Sequence, residues 1–163
     1  MSEIEHVPRP SPHGHCIFCE DIRQEINAKE SYVGVFAGPD MHVLGKLPTN
    51  VGKFFIKVYY SQRPTDAAAP VRLVVMMPGE TAETAATQAE IDFPALMRDF
   101  PPPSPELDDP FLSIQMVFGF NPLEIKQEGI IDVRAIRDGK SYRLGALRVK
   151  SRPPAEPPTE VAN

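Results

Sequence analysis

His13, His15, Cys16 and Cys19 fall within one short stretch and are the side chains of this sequence best suited to chemistry. A Cys-x-x-Cys pair beside two histidines offers the nitrogen and sulfur donors that zinc takes in a tetrahedral site. The sequence supplies no second Cys-x-x-Cys or His-x-His pair, so such a site would draw all four ligands from this stretch. In an extended segment neighbouring side chains point to opposite faces, which sets Cys16 against Cys19. Their Cα atoms would then lie roughly 10 Å apart, beyond disulfide range. The expected state is two reduced, packed thiols. Zinc binding through His13, His15, Cys16 and Cys19 stands as the alternative. A redox dithiol is less favoured, because no helix N-terminus follows to stabilise a thiolate.

A second group gathers just downstream: Glu20, Asp21, Glu25 and Glu30, beside Arg23 and Lys29. Carboxylate pairs perform acid–base work only at a set separation across a cleft, which spacing along a chain does not fix. The expected role is a charged corner, with Asp21 paired to Arg23. A third group is basic: Arg134, Arg137, Lys140, Arg143, Arg148 and Lys150, with Tyr142 available for stacking. It has the elements of a shallow nucleic-acid face. The chain is acidic overall, with net charge −5, and the bases alternate with apolar positions, so nucleic acid is not the expected partner. Asp132 and Arg134 are expected to face water. There is no Gly-rich phosphate loop, no Gly-x-Ser-x-Gly and no His-Glu-x-x-His, and His42 stands alone. No catalytic residue and no cofactor is assigned.

The elements that would position these residues are strands. Cys16 to Ile22 and Ser31 to Ala37 read as two extended segments around a polar corner, in preference to a short helix over Glu20–Ala28. From Lys53 to Ser61, Phe54, Ile56, Val58 and Tyr60 share one side while Lys53, Lys57 and Ser61 share the other. That pattern predicts one buried and one wet face. Met41 to Leu44 is a short edge-like segment, and Val71 to Met77 is a strand ended by Pro78-Gly79. Leu112, Ile114, Met116, Phe118 and Phe120 alternate without a miss. Asp138-Gly139 between two apolar runs is a type I′ hairpin signal, since that turn needs positive φ at both central positions. In the last run the apolar phase shifts after Leu144 to Leu147 and Val149, which predicts a β-bulge at Gly145.

Composition divides the chain further. Its 163 residues suit a single ordinary domain, and its 19 prolines are more than twice the usual share. Residues 1–13 and 151–163 are Pro-rich and poor in apolar residues, so both ends are expected to be disordered arms around one domain at 14–150. Residues 80–109 carry eight acids and one base. They read as a long acidic, Pro-rich insert with at most one short helix, capped by Asp92 or Phe93 with Pro94 in its first turn. About seven strands with no long helix predict an all-β antiparallel sandwich, immunoglobulin-like or C2-like. The chain has no Trp, so it is not a true immunoglobulin domain. No charged-then-apolar leader and no membrane-length apolar run is present, which predicts a cytoplasmic protein with no membrane partner.

The run Cys19-Glu20-Asp21-Ile22-Arg23-Gln24-Glu25, continuing through Lys29 to Phe36, resembles a bacterial and phage-associated domain family of unknown function. That family opens with Cys-Asp-Asp-Val/Ile-Arg-x-Glu, followed by a Gly-Lys-x-Ser-x-x-Gly-Val-Tyr-like strand. The chain differs at Glu20 and at Ala28, where the family has aspartate and glycine. The Glu128–Val133 segment and the Asp138-Gly139 hairpin are also similar to its closing strands. The resemblance implies a single β-sandwich and supplies no activity. Two further expectations follow from the residues. One is a non-enzymatic binding or structural module working through protein partners or self-association, which the resemblance would set in a phage or prophage-related assembly. The other is small-ligand binding at the sandwich rim, by loops 38–52 and 80–109 with Tyr59 and Tyr60.

Overall fold

The computed structural model describes residues 10–99 and 110–153. In chain order the strands are β1 (His13–Cys19), β2 (Asp21–Gln24), β3 (Glu30–Val33), β4 (Asp40–Leu44), β5 (Thr49–Val51) and β6 (Phe54–Gln62). They continue as β7 (Val71–Met76), β8 (Thr87–Ile91), β9 (Leu112–Phe120), β10 (Leu123–Ile125), β11 (Gly129–Arg137) and β12 (Lys140–Arg152). One helix, α1 (Phe93–Asp99), precedes β9. Two sheets form the sandwich. The first has the order β1-β6-β9 and the second β4-β12-β11-β7-β8, while β10-β5 and β2-β3 pair as small ribbons. All pairs are antiparallel except β12 with β4, which run parallel.

The period-2 apolar rows fill the space between the sheets. Phe54, Ile56, Val58 and Tyr60 of β6 are buried against Leu73 and Val75 of β7, Ile131 and Val133 of β11, and Leu147 and Val149 of β12. Each such aliphatic or aromatic side chain contributes about 1.5–3 kcal/mol on leaving water. This is the all-β sandwich that the alternation predicts. The described residues hold twelve strands where about seven were expected, because several segments of three to five residues are too short to display a period. β8 is the clearest of these. Thr87, Gln88, Ala89 and Glu90 lack large apolar side chains, yet the segment pairs with β7 in register Val71↔Ile91 to Val75↔Thr87. Asp92 does cap α1, its Oδ1 accepting from the Ala95 N–H at 2.9 Å.

In the last hairpin the turn signal holds, and the expected bulge is present one residue before Gly145. Asp138 and Gly139 have φ of 49° and 69°, as a type I′ turn requires. Val133 pairs with Gly145 and Arg134 with Arg143, so Leu144 is the extra residue of a bulge. That insertion returns Leu144, Leu147 and Val149 to the buried side. β12 continues through Ser151 and Arg152, and β1 begins at His13, so both strands run into the stretches read as arms. The remainder of those arms, 1–9 and 154–163, lies outside the described residues, as does 100–109 of the acidic insert.

The opening segment is divided differently from its reading. β1 stops at Cys19, the chain bends at Glu20, and β2 and β3 form a separate short hairpin. β3 ends early because Gly34 takes φ +64°, and a Cβ there would meet the Glu20 carboxylate at 2.6 Å. Between β2 and β3 the helix alternative survives only as one 3-10 turn at Ile26–Ala28. Within it Asn27 and Ala28 hold φ of 66° and 56°. Left-handed backbone costs an alanine about 1 kcal/mol that a glycine avoids. Ala28→Gly is therefore expected to raise stability by up to about 1 kcal/mol, offset by the looser unfolded chain. Chemical denaturation measures this, and a less stable variant would contradict it.

Candidate functional site

β1 carries the histidines and cysteines, and its pairing with β6 separates them. His13, His15 and Cys19 lie on the outer side of the first sheet and Cys16 on the inner side, following the register His15↔Tyr59, Cys16↔Val58, Cys19↔Phe55. The His15 ring stacks on Tyr59 with centroids 4.7 Å apart, and His13 Nδ1 is 2.8 Å from the Pro10 carbonyl. Cys19 is fully buried, and Cys16 packs toward β12, where a Cβ on Gly145 would overlap its Sγ. Both cysteines are free. Burial, and secondarily the Asp132 charge, pushes the Cys16 thiol up to about 12. Burial likewise raises the Cys19 thiol. Neither is poised as a thiolate. Among the described residues no three His, Cys, Asp or Glu side chains gather in a metal-holding arrangement.

The face of β6 read as wet is roofed by the β2–β3 hairpin. Lys57 is only 4% exposed, because the hairpin lays Glu30 and Tyr32 over it. Lys57 Nζ donates to Glu30 Oε1 at 2.9 Å, and Gln24 Nε2 donates to the same oxygen at 2.9 Å. Tyr32 Oη donates to Glu30 Oε2 at 2.6 Å. Since that uses its single proton, the 2.7 Å contact between Tyr32 and Tyr59 is made by the Tyr59 hydroxyl donating. Hydrogen bonds from Tyr32, Lys57 and Gln24 hold the Glu30 carboxyl down to about 2. Burial and the bond to Glu30 raise the Tyr32 hydroxyl. These polar groups are spent on one another, and together they clamp the hairpin to the sheet. Downstream, the expected corner pairing is present, with Arg23 Nε 3.3 Å from Asp21 Oδ2.

Tyr59 and Tyr60 do not line one rim. Tyr59 belongs to this outer network, whereas Tyr60 is fully buried and donates to Gln62 Oε1 at 2.8 Å. Burial raises the Tyr60 hydroxyl to about 12. Nor does Asp132 face water. It is buried and takes Arg143 on both oxygens, at 3.0 and 2.8 Å, with Arg134 Nε at 3.1 Å. On the same outer face of the second sheet Asp40 binds Lys150 at 2.6 Å and Arg148 at 3.5 Å. Arg134, Arg143, Arg148 and Lys150 of the last hairpin are thus interleaved with acids that neutralise them in place.

The feature that spacing did not reveal is an edge. β9 pairs with β6 along nine residues in unbroken register, and no described strand pairs with its other side. The strand holds no charge, no proline and no bulge, the devices that ordinarily blunt an edge. In its core-side row Leu112, Ile114, Met116 and Phe120 are half-buried and Phe118 is buried. On its outer side Val117 is 43% exposed. Beside the start of the strand, an apolar groove of about 330 Å³ opens between Leu112 and Ile114 and the α1 residues Phe93, Leu96 and Met97. The signal available in the sequence was the absence of any charge from Leu112 to Phe120.

No family model, curated protein or solved structure matches this chain.

Proposed function

We propose that the chain is a non-enzymatic binding module that works through protein–protein contacts, in the cytoplasmic setting of a phage or prophage-related assembly. The observation that carries the reading is the β9 edge. A free strand side offers its unpaired N–H and C=O groups to an incoming strand, and neighbouring pockets select alternate side chains. β9 is nine residues long, alternate residues point their backbone groups to the side that no described strand pairs, and the apolar groove lies at one end. The setting draws on the resemblance of the Cys19–Phe36 run to a phage-associated family. In support, that family carries glycine at the position of Ala28, whose φ is positive here. Among the described residues no helix is long and apolar enough to cross a membrane.

Random nine-residue peptides displayed against the dilute, immobilised chain test this reading. Enrichment of alternating apolar peptides, with amide exchange slowed across 112–120 on binding, is the expected result. No enrichment, or binding that leaves those amides unchanged, would refute it.

A further inference from the structure

Resting on the binding-module reading, we infer that the strand added to β9 is the β9 of a second copy of this chain, paired antiparallel about Met116. The argument is self-complementarity. When two sandwiches keep their cores on one side of a shared sheet, residues directly opposite must have the same facing, so the register is centred on a residue rather than between two. Centring on Met116 overlaps all nine residues. On the core side it sets Leu112 opposite Phe120, Ile114 opposite Phe118 and Met116 opposite itself. On the outer side it sets Ser113 opposite Gly119 and Gln115 opposite Val117. Every half-buried apolar residue of that row meets an apolar residue, and no like charges face each other.

The groove adds a second argument. Leu112 and Ile114 form its strand wall, and Phe120 and Phe118 of the second copy come opposite those two residues. The twofold axis makes this happen at both ends of the pair, as an isologous interface requires. The result is a six-stranded sheet, β1-β6-β9 continued by β9-β6-β1 of the second copy. Other edges are poorer matches for themselves. β4 and β8 are five residues each and carry Asp40 and Glu90, and β1 packs against β12.

Sedimentation of the full chain across the micromolar range gives the test. The wild type is expected to reach twice its 18.1 kDa mass. Gln115 and Val117 are exposed and opposite each other in the proposed register, so Q115K/V117K sets lysine against lysine twice. That variant should associate roughly tenfold more weakly, with an unchanged thermal melt at concentrations where both proteins are monomeric. Q115K/V117E sets lysine against glutamate at the same two places and should restore the dimer. A dimer that ignores the double lysine overturns the interface, and a monomeric Lys/Glu variant overturns the register. A wild type that stays monomeric yet captures strand peptides overturns the second copy alone and leaves the binding reading standing.

Discussion

Gly145→Ala should lower stability by about 1–3 kcal/mol, as overpacking of a filled site does. At this bulge β12 comes so close to β1 that a Cβ would overlap the Cys16 Sγ and press at 3.4 Å on the Phe18 ring. The φ of Gly145 is not in the left-handed region, so the penalty is a matter of space and not of backbone strain. The cause can be isolated with a double-mutant cycle. Cys16→Ala alone removes a packed sulfur and costs stability. Combined with Gly145→Ala it vacates the space that the new methyl needs, so the double variant should be more stable than Gly145→Ala alone. Urea unfolding of the four proteins measures it. Simple additivity would show that the sulfur is not what excludes a side chain at 145.

The clamp under the β2–β3 hairpin predicts the second large effect, and it is asymmetric. Glu30→Gln leaves the buried ammonium of Lys57 without its counter-charge, the costly way to break such a pair. Lys57→Met leaves a carboxylate that is still hydrogen-bonded by Tyr32 and Gln24 and is 18% exposed to water. Glu30→Gln should therefore lower the melting temperature by several degrees and by more than Lys57→Met. The reverse order would contradict the clamp. The effect also depends on pH. Glu30 is held at about 2 against an ordinary 4.5, so the unfolded chain takes up its proton first as pH falls. The stability it confers is complete above about pH 4.5 and drains away as pH falls toward 2. The gap between wild type and Glu30→Gln should be widest at neutral pH and narrow across that window. A gap of constant width would show that Glu30 titrates normally in the folded chain.

What could be read in advance was local. The Asp138-Gly139 turn, the Gly145 bulge and the alternation from Leu112 to Phe120 each follow from a few adjacent residues. So did the opposite facings of Cys16 and Cys19, which the strand geometry of β1 enforces. The burial of Lys57 was not legible, because its cover arrives from Glu30 and Tyr32, a distant hairpin whose own strands are four residues each. Asp132 was misjudged for the same reason. Period 2 placed it on the outer face, but Arg143 reaches it across the bulge. The side of β9 that no described strand pairs was invisible for a different reason. Alternation tells which way side chains point, whereas an edge is a property of which strands pair, and that is set by the whole chain.

The parallel pairing of β12 with β4 imposes an order on events. Asp40–Leu44 at one edge of the second sheet finds its neighbour in Arg148–Arg152, about a hundred residues further along. Until that late segment has left the ribosome, β4 has no strand to join and β11 lacks one of its two neighbours. Synthesis thus leaves the apolar row Met41 and Val43 waiting while most of the chain is made. Contacts so distant along the chain make assembly slow by the ordinary cost of loop closure. The nascent chain spends that interval with a hydrophobic edge uncovered, the period in which a chaperone would have the most to hold.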